Sequence, residues 1–221
     1  MGTEGGPRGL AAAAKRAADL AVTGALSLVA LPVVALAALC VLVEDGRPLL
    51  YVQKRAGLGG RPFDVYKLRT LRVHDTPAHR MAQVRSGDAL VTRVGSVLRR
   101  FKIDELPQLL NILRGDMSLV GPRPTLPEQV ERYDAFQRRR LAVRPGLTGW
   151  AQVNGNTELS WEDRICLDVW YVDHWSLALD ARVLARTLGV VFGGERVRPE
   201  QLAAARGHAH GAHAYGADRR G

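Results

Sequence analysis

Leu20 to Val43 reads LAVTGALSLVALPVVALAALCVLV, with no charged side chain over 24 positions. At about 1.5 Å per residue such a helix covers roughly 36 Å, enough to cross a hydrocarbon core of roughly 30 Å. Buried helices of soluble proteins are rarely this long and this uniformly apolar. A cleaved signal peptide has a shorter apolar run, roughly 7–15 residues, closed by a small-residue site. Here the run ends instead at Glu44-Asp45.

Pro32 stands in the middle of the run. It lacks an N–H and its ring clashes with the preceding turn, so it kinks or breaks a helix, although membrane helices often tolerate it. Arg8, Lys15 and Arg16 precede the run, and Arg47, Lys54, Arg55, Arg61, Lys67, Arg69 and Arg72 follow it. Basic residues beside a membrane segment favour the cytoplasmic side, and both flanks are basic. A straight span satisfies one flank only. A helix broken at Pro32, entering and leaving by one face, satisfies both. The expectation is a re-entrant membrane helix over residues 11–45 with both chain ends in the cytoplasm. A single straight span is the alternative.

Working outward, residues 1–10 are Gly-rich and read as a flexible start, 46–199 as one cytoplasmic domain, and 200–221 as a disordered Ala/Gly/His/Arg tail. His208, His210 and His213 in that tail are a low-complexity feature rather than a metal site. Gly57, Gly59-Gly60 and Arg61-Pro62 separate two short apolar stretches, Leu49–Val52 and Phe63–Tyr66, in the pattern of a β-hairpin. His74–Ala89 is polar and reads as a loop. Leu106, Leu109, Leu110 and Leu113 mark one helix face, closed by Arg114-Gly115. Ser160 and Asp163 open a second helix, and a last amphipathic helix runs from about Leu179 to Phe192, with Arg182 and Arg186 placed to meet anionic lipid. The fold class expected is α+β, mainly helical, with amphipathic interfacial helices around a cytoplasmic active site. Cys40 and Cys166 lie far apart with no CxxC or His cluster, so they read as small buried hydrophobes rather than zinc or redox groups. The net charge of +9 asks for an anionic partner without choosing among nucleic acid, phosphorylated ligands and an acidic membrane.

Asp104 and Glu105 adjoin the start of the Leu106–Leu113 helix, with Pro107 in its first turn. Capping explains an isolated Asp-Glu pair. The surroundings add a second reading, because a helix N-terminus attracts anions and Arg93, Arg99, Arg100, Lys102 and Arg123 crowd this one. A carboxylate beside cations can attack phosphorus and form an acyl phosphate, and a neighbouring carboxylate can hold Mg²⁺ on a diphosphate.

Three runs carry a resemblance: Lys102-Ile103-Asp104-Glu105-Leu106-Pro107-Gln108-Leu109, followed by Asn111; Gly115-Asp116-Met117-Ser118-Leu119-Val120-Gly121-Pro122-Arg123-Pro124; and Arg144-Pro145-Gly146-Leu147-Thr148-Gly149-Trp150-Ala151-Gln152-Val153-Asn154-Gly155. With Tyr66–Thr70 and Leu167–Val172 they resemble the bacterial sugar transferase family, monotopic polyprenyl-phosphate phosphoglycosyl transferases, in its small form. The likeness covers about Lys15 to Phe192. It implies transfer of a hexose-1-phosphate from a UDP-sugar to polyprenyl (undecaprenyl) phosphate, the first membrane step of exopolysaccharide, capsule, O-antigen or glycoprotein glycan assembly. It implies Asp104 as nucleophile, Glu105 as its dyad partner, Mg²⁺ at Glu105 and Asp104, and Pro32 at the re-entrant break. It implies Lys67, Arg69, Arg99, Arg123, Arg144, Gln152 and Asp168 around the substrates. The location implied is the bacterial inner membrane, against its anionic inner leaflet and facing the cytoplasm, with a homo-oligomer compatible and no nucleic acid. Two positions depart from the family pattern. Lys102 replaces a small hydroxyl residue, and Asn156-Thr157 replaces Arg-Asn.

Two other functions are open from the sequence. A membrane-anchored nucleic-acid module fits the charge, but no helix-turn-helix spacing or RNA-type aromatic motif accompanies it. A hydrolase of lipid-linked diphosphates could use the same carboxylates, and differs by releasing free sugar phosphate.

Overall fold

The computed structural model describes residues 6–72 and 90–218, with side chains to 210. The expected loop at 74–89, the first five residues and His213's side chain lie outside the described residues.

Helix α1, Gly9–Asp45, is a single uninterrupted helix with Pro32 inside it. The break expected at Pro32 is therefore corrected. The proline removes one N–H from the ladder, and the long helical runs on both sides carry the chain through. Lys15, Asp19, Thr23, Ala30, Ala37 and Val41 are buried, spaced by four and seven residues along one stripe. Away from the stripe, Leu28, Val29, Leu31 and Leu36 are exposed. The helix is long and apolar enough to cross a membrane, and only 17% of its most apolar window is buried by protein. Cys40 is exposed and Cys166 half-buried, both free, so the expectation of a buried Cys40 is corrected.

Both ends of α1 are tied to the rest of the chain. Lys15 Nζ meets Asp180 Oδ2 at 2.7 Å, Arg16 Nη1 donates to the Ile112 carbonyl at 2.6 Å, and Asp19 accepts from Ser118 Oγ and the Leu119 N–H. At the other end, Glu44 accepts from the N–H groups of Arg93 and Val94, each at 2.8 Å.

The hairpin is present as β1, Leu50–Ala56, paired antiparallel with β2, Pro62–Leu68, in the register Lys54↔Asp64 and Gln53↔Val65. Helix α2, Arg93–Arg100, follows, capped by the Thr92 hydroxyl. A 3₁₀ turn, Ile103–Gln108, leads directly into α3, Leu109–Arg114, which closes on Gly115 in the left-handed region as expected. The apolar face read for this helix is shifted. Leu109 and Ile112 are buried, whereas Leu110 and Leu113 are exposed, because a three-residue turn at the start changes the phase of the 3.6-residue pattern.

Strand β3, Ser118–Val120, pairs in parallel with β4, Gly146–Thr148, with short helices α4, Pro127–Glu131, and α5, Ala135–Arg138, between them. The backbones approach closely. A Cβ on Gly146 would stand 2.1 Å from the Gly121 nitrogen, so only glycine fits. Helix α6 is Trp150–Val153, α7 is Trp161–Asp173 with Ser160 capping Asp163 N–H as expected, and α8 is Leu177–Gly193. The core gathers Leu119, Val120, Trp150, Leu167, Tyr171 and Val183.

The expected disordered tail is corrected: Pro199–Asp218 forms helix α9. Its alanines favour helix, and it lies on α7, where Arg206 pairs with Asp163 at 2.7 Å and His208 Nε2 stands 2.6 Å from Asp173.

Candidate active site

The 3₁₀ turn brings Asp104 and Glu105 into the interior, both buried. Lys102, the residue that starts the turn, has φ 57°, a left-handed conformation that costs a long side chain more than it would glycine or asparagine. Asp104 Oδ1 is buried and has no hydrogen-bond partner among the described residues. Burial, and then the neighbouring Glu105 charge, push the Asp104 carboxyl up to about 6, while Lys67, Arg99 and Lys102 pull the other way.

Glu105 is held differently. Its Oε1 accepts from Lys67 Nζ at 2.7 Å and from Arg123 Nη2 at 2.6 Å, and Oε2 lies 3.4 Å from Arg123 Nη1. Burial works to raise its pKa, but the charges of Arg123 and Lys67 and their hydrogen bonds outweigh it and hold the group well below the usual carboxylate range. Adjacent carboxylates thus have divided properties. Glu105 is fixed as an anion, and Asp104 keeps an unpartnered oxygen and a carboxyl raised to about 6, the separation expected of a functional pair.

Lys67 comes from β2. The fully buried Asn111 of α3 stitches that strand to the acid-bearing turn, donating Nδ2–H to the Asp64 carbonyl at 2.7 Å and accepting from the Tyr66 N–H at 3.4 Å. Arg123 comes from the loop after β3, and Arg140 Nη2 fixes that loop by donating to the Arg123 carbonyl at 3.0 Å.

Of the residues expected at the site, Lys67, Asp104, Glu105 and Arg123 meet. Arg99 lies close enough for its charge to act on Asp104, with its Nε on Thr70 Oγ1 at 3.0 Å. The others are placed elsewhere. Arg69 donates to the carbonyls of Asp45, Gly46 and Arg47 and so secures the end of α1. Arg144 donates Nε–H to the Gly115 carbonyl at 2.7 Å, closing the end of α3. Asp168 is an interior partner of Arg140. Gln152 is buried with both amide atoms unpartnered. Arg140 and the role of Asn111 were missed. The long-range pairing of Arg140 with Asp168 leaves no local pattern, and an Asn inside an apolar helix was the available sign for Asn111.

For Mg²⁺, the test is which oxygens are free. Glu105 Oε1 is occupied by two cations, whereas Oε2 has one long contact and Asp104 Oδ1 has none. Among the described residues no three His, Cys, Asp or Glu side chains converge on one point. The set therefore fits Mg²⁺ in its usual mode of one or two carboxylates completed by substrate phosphates and water.

A profile of the family described as bacterial sugar transferase matches residues 10–194. The chain is 44% identical over 157 residues, 71% of its length and 76% of the other's, to an uncharacterized sugar transferase, EpsL, of Bacillus subtilis. It is 44% identical over 182 residues, 79% of its length and 68% of the other's, to a UDP-glucose:undecaprenyl-phosphate glucose-1-phosphate transferase of Caulobacter vibrioides. It is 37% identical over 202 residues, 85% of its length and 89% of the other's, to an exopolysaccharide production protein, ExoY, of Sinorhizobium fredii.

Proposed function

The chain belongs to the bacterial sugar transferase family, and on that premise we propose that it moves a hexose-1-phosphate from a UDP-sugar to polyprenyl phosphate at a membrane, through a covalent intermediate on Asp104. The observation that carries this reading is the divided carboxylate pair: one oxygen of Asp104 free, and Glu105 clamped by Lys67 and Arg123.

The ionised Asp104 oxygen attacks the sugar-bearing phosphorus, the P–O bond to UMP breaks, and UMP leaves with the bond's electrons. Glu105 keeps Lys67 and Arg123 in place beside the reacting centre, where their charge offsets that of the phosphates. Mg²⁺ held by Asp104 and Glu105 oxygens would supply further charge neutralisation on the diphosphate. An oxygen of the lipid phosphate then attacks the same phosphorus, and the Asp104 carboxylate leaves, restoring the enzyme and giving a lipid-linked diphosphate sugar. Splitting the reaction lets a soluble donor and a membrane acceptor react in turn at one site.

Enzyme given UDP-sugar without lipid should release UMP and carry a hexose-phosphate mass on the peptide containing Asp104, absent in Asp104→Asn. Sequential kinetics with no adduct would remove Asp104 from the nucleophile role. Free sugar phosphate as the main product would instead favour the hydrolase.

The attachment of α1 supports a monotopic arrangement. Lys15 and Glu44, near its two ends, both bind residues of the same domain, which favours both ends lying on one side of the membrane. Both ends face the cytoplasm. In a Cys40→Ser/Cys166→Ser background, single cysteines replacing Leu10 and Leu58 should react alike with an impermeant maleimide in inside-out vesicles and be protected in intact cells. Labelling on opposite faces would establish a span.

A further inference from the structure

A cleft of about 260 Å³ opens between the end of α8 and residues 194–198, away from the contacts of the Asp104–Glu105 pair. Arg186, Arg196 and Arg198 line it, with Val190 and the bare backbone of Gly193 and Gly194. We propose that this cleft is a second anion site, taking a phosphate group on Arg186, Arg196 and Arg198.

The site is built around the fully buried Asn154. Its Oδ1 accepts from Arg186 Nη1 at 3.3 Å, its carbonyl accepts from the Arg198 N–H at 3.2 Å, and its own Nδ2–H is spent on the Trp150 carbonyl at 2.7 Å. The Arg186 guanidinium also lies over the Trp150 ring, 5.0 Å from its centroid. That fixes its plane while one hydrogen bond leaves most of its donors free. Like charges gather here without compensation. Burial, and then the charges of Arg198 and Arg182, work against the protonated Arg186. Neither Arg196 nor Arg198 forms an ion pair with a described residue. Glu195, the carboxylate of this loop, is turned away onto Lys102, Asn156 and Thr157. Converging arginines in a cleft with no acid of their own suit a phosphate, which the guanidinium fork binds through paired hydrogen bonds.

Exposed Leu188, Phe192 and Val197 border the region, an apolar rim suited to a phosphate carried on a lipid. The loop that holds Arg196 and Arg198 also holds Glu195, and through it Lys102. Occupancy of the cleft would thus steady the approach to the Asp104 turn.

The test is thermal unfolding of the full-length protein in neutral detergent. It is titrated with short-chain phosphatidic acid or with inorganic phosphate, at matched ionic strength against chloride. A saturable upward shift in Tm is expected, at least halved by Arg196→Gln/Arg198→Gln. Gly189→Leu should also halve it; a Cβ at Gly189 meets nothing within 4 Å, and the added side chain would fill the cleft without changing charge. A shift from phosphatidic acid alone identifies a lipid headgroup, and an equal shift from inorganic phosphate identifies a free anion. No saturable shift from either probe, or a shift undiminished in both variants, overturns the proposal. The readout is binding, so it stands apart from whether Asp104 forms an adduct.

Discussion

Asp104→Asn should lower turnover by on the order of 10⁴-fold or more, as loss of a covalent nucleophile does, while making the protein harder to unfold at neutral pH. The two effects have one origin. The Asp104 carboxyl titrates at about 6 in the fold against an ordinary 3.8, so the folded chain holds its proton where the unfolded chain has released it. Stability from the neutral carboxyl is fully present below the unfolded value and is lost as pH rises through about 6. Above that, the ionised group costs up to about 3 kcal/mol, at about 1.4 kcal/mol per pKa unit over a shift of about two units. An amide of the same shape avoids this cost. The Tm of Asp104→Asn should exceed that of the parent at pH 8, and the gap should narrow as pH falls through about 6 and close near pH 4. UMP release by the parent should fall off below about pH 6 as the nucleophile protonates. A variant that keeps activity, or whose Tm advantage does not depend on pH, would contradict the divided pair.

Arg140→Met should destabilise the protein by roughly 3–5 kcal/mol, because it leaves the Asp168 carboxylate buried without its cation. Asp168 and Arg140 are both almost fully buried, and burial already pushes the Asp168 carboxyl above its usual value. Arg140→Met/Asp168→Leu should recover most of that loss, since an apolar pair of similar volume replaces an ion pair without stranded charge. Activity should not recover with it. Arg140 also holds the Arg123 carbonyl, and Arg123 holds Glu105. Differential scanning fluorimetry beside UMP-release assays separates the effects: stability restored with activity still low marks a positioning role. Restoration of both would reduce the pair to packing.

What could be read from the sequence follows the range of each interaction. The apolar run, the hairpin turns, the Gly115 cap and the Ser160 cap are local, and each was found within a residue or two. Asp104 and Glu105 were legible because helix-start chemistry and nearby basic residues are also local. The buried links were not. Lys67 reaches Glu105 over 38 positions and Arg123 over 18, and these contacts, rather than proximity in sequence, make one acid different from its neighbour. Arg69 and Asp168 sit in motif-like surroundings, yet their hydrogen bonds serve the frame. The parallel β3–β4 pair escaped because three-residue strands show no alternation. The tail escaped because alanine and glycine together suggest looseness until α7 offers a surface on which to pack.

The polar stripe of α1 sets an order on biosynthesis. Lys15 lies near the start of α1, and its partner Asp180 follows 165 residues later. At about 5–20 residues per second of translation, roughly ten to thirty seconds separate their synthesis. During that interval the apolar helix has already emerged and can enter a bilayer, while Lys15 and Asp19 await most of their partners. The amino-terminal end of α1 thus waits, helical but undocked, until the domain that will hold it has been made.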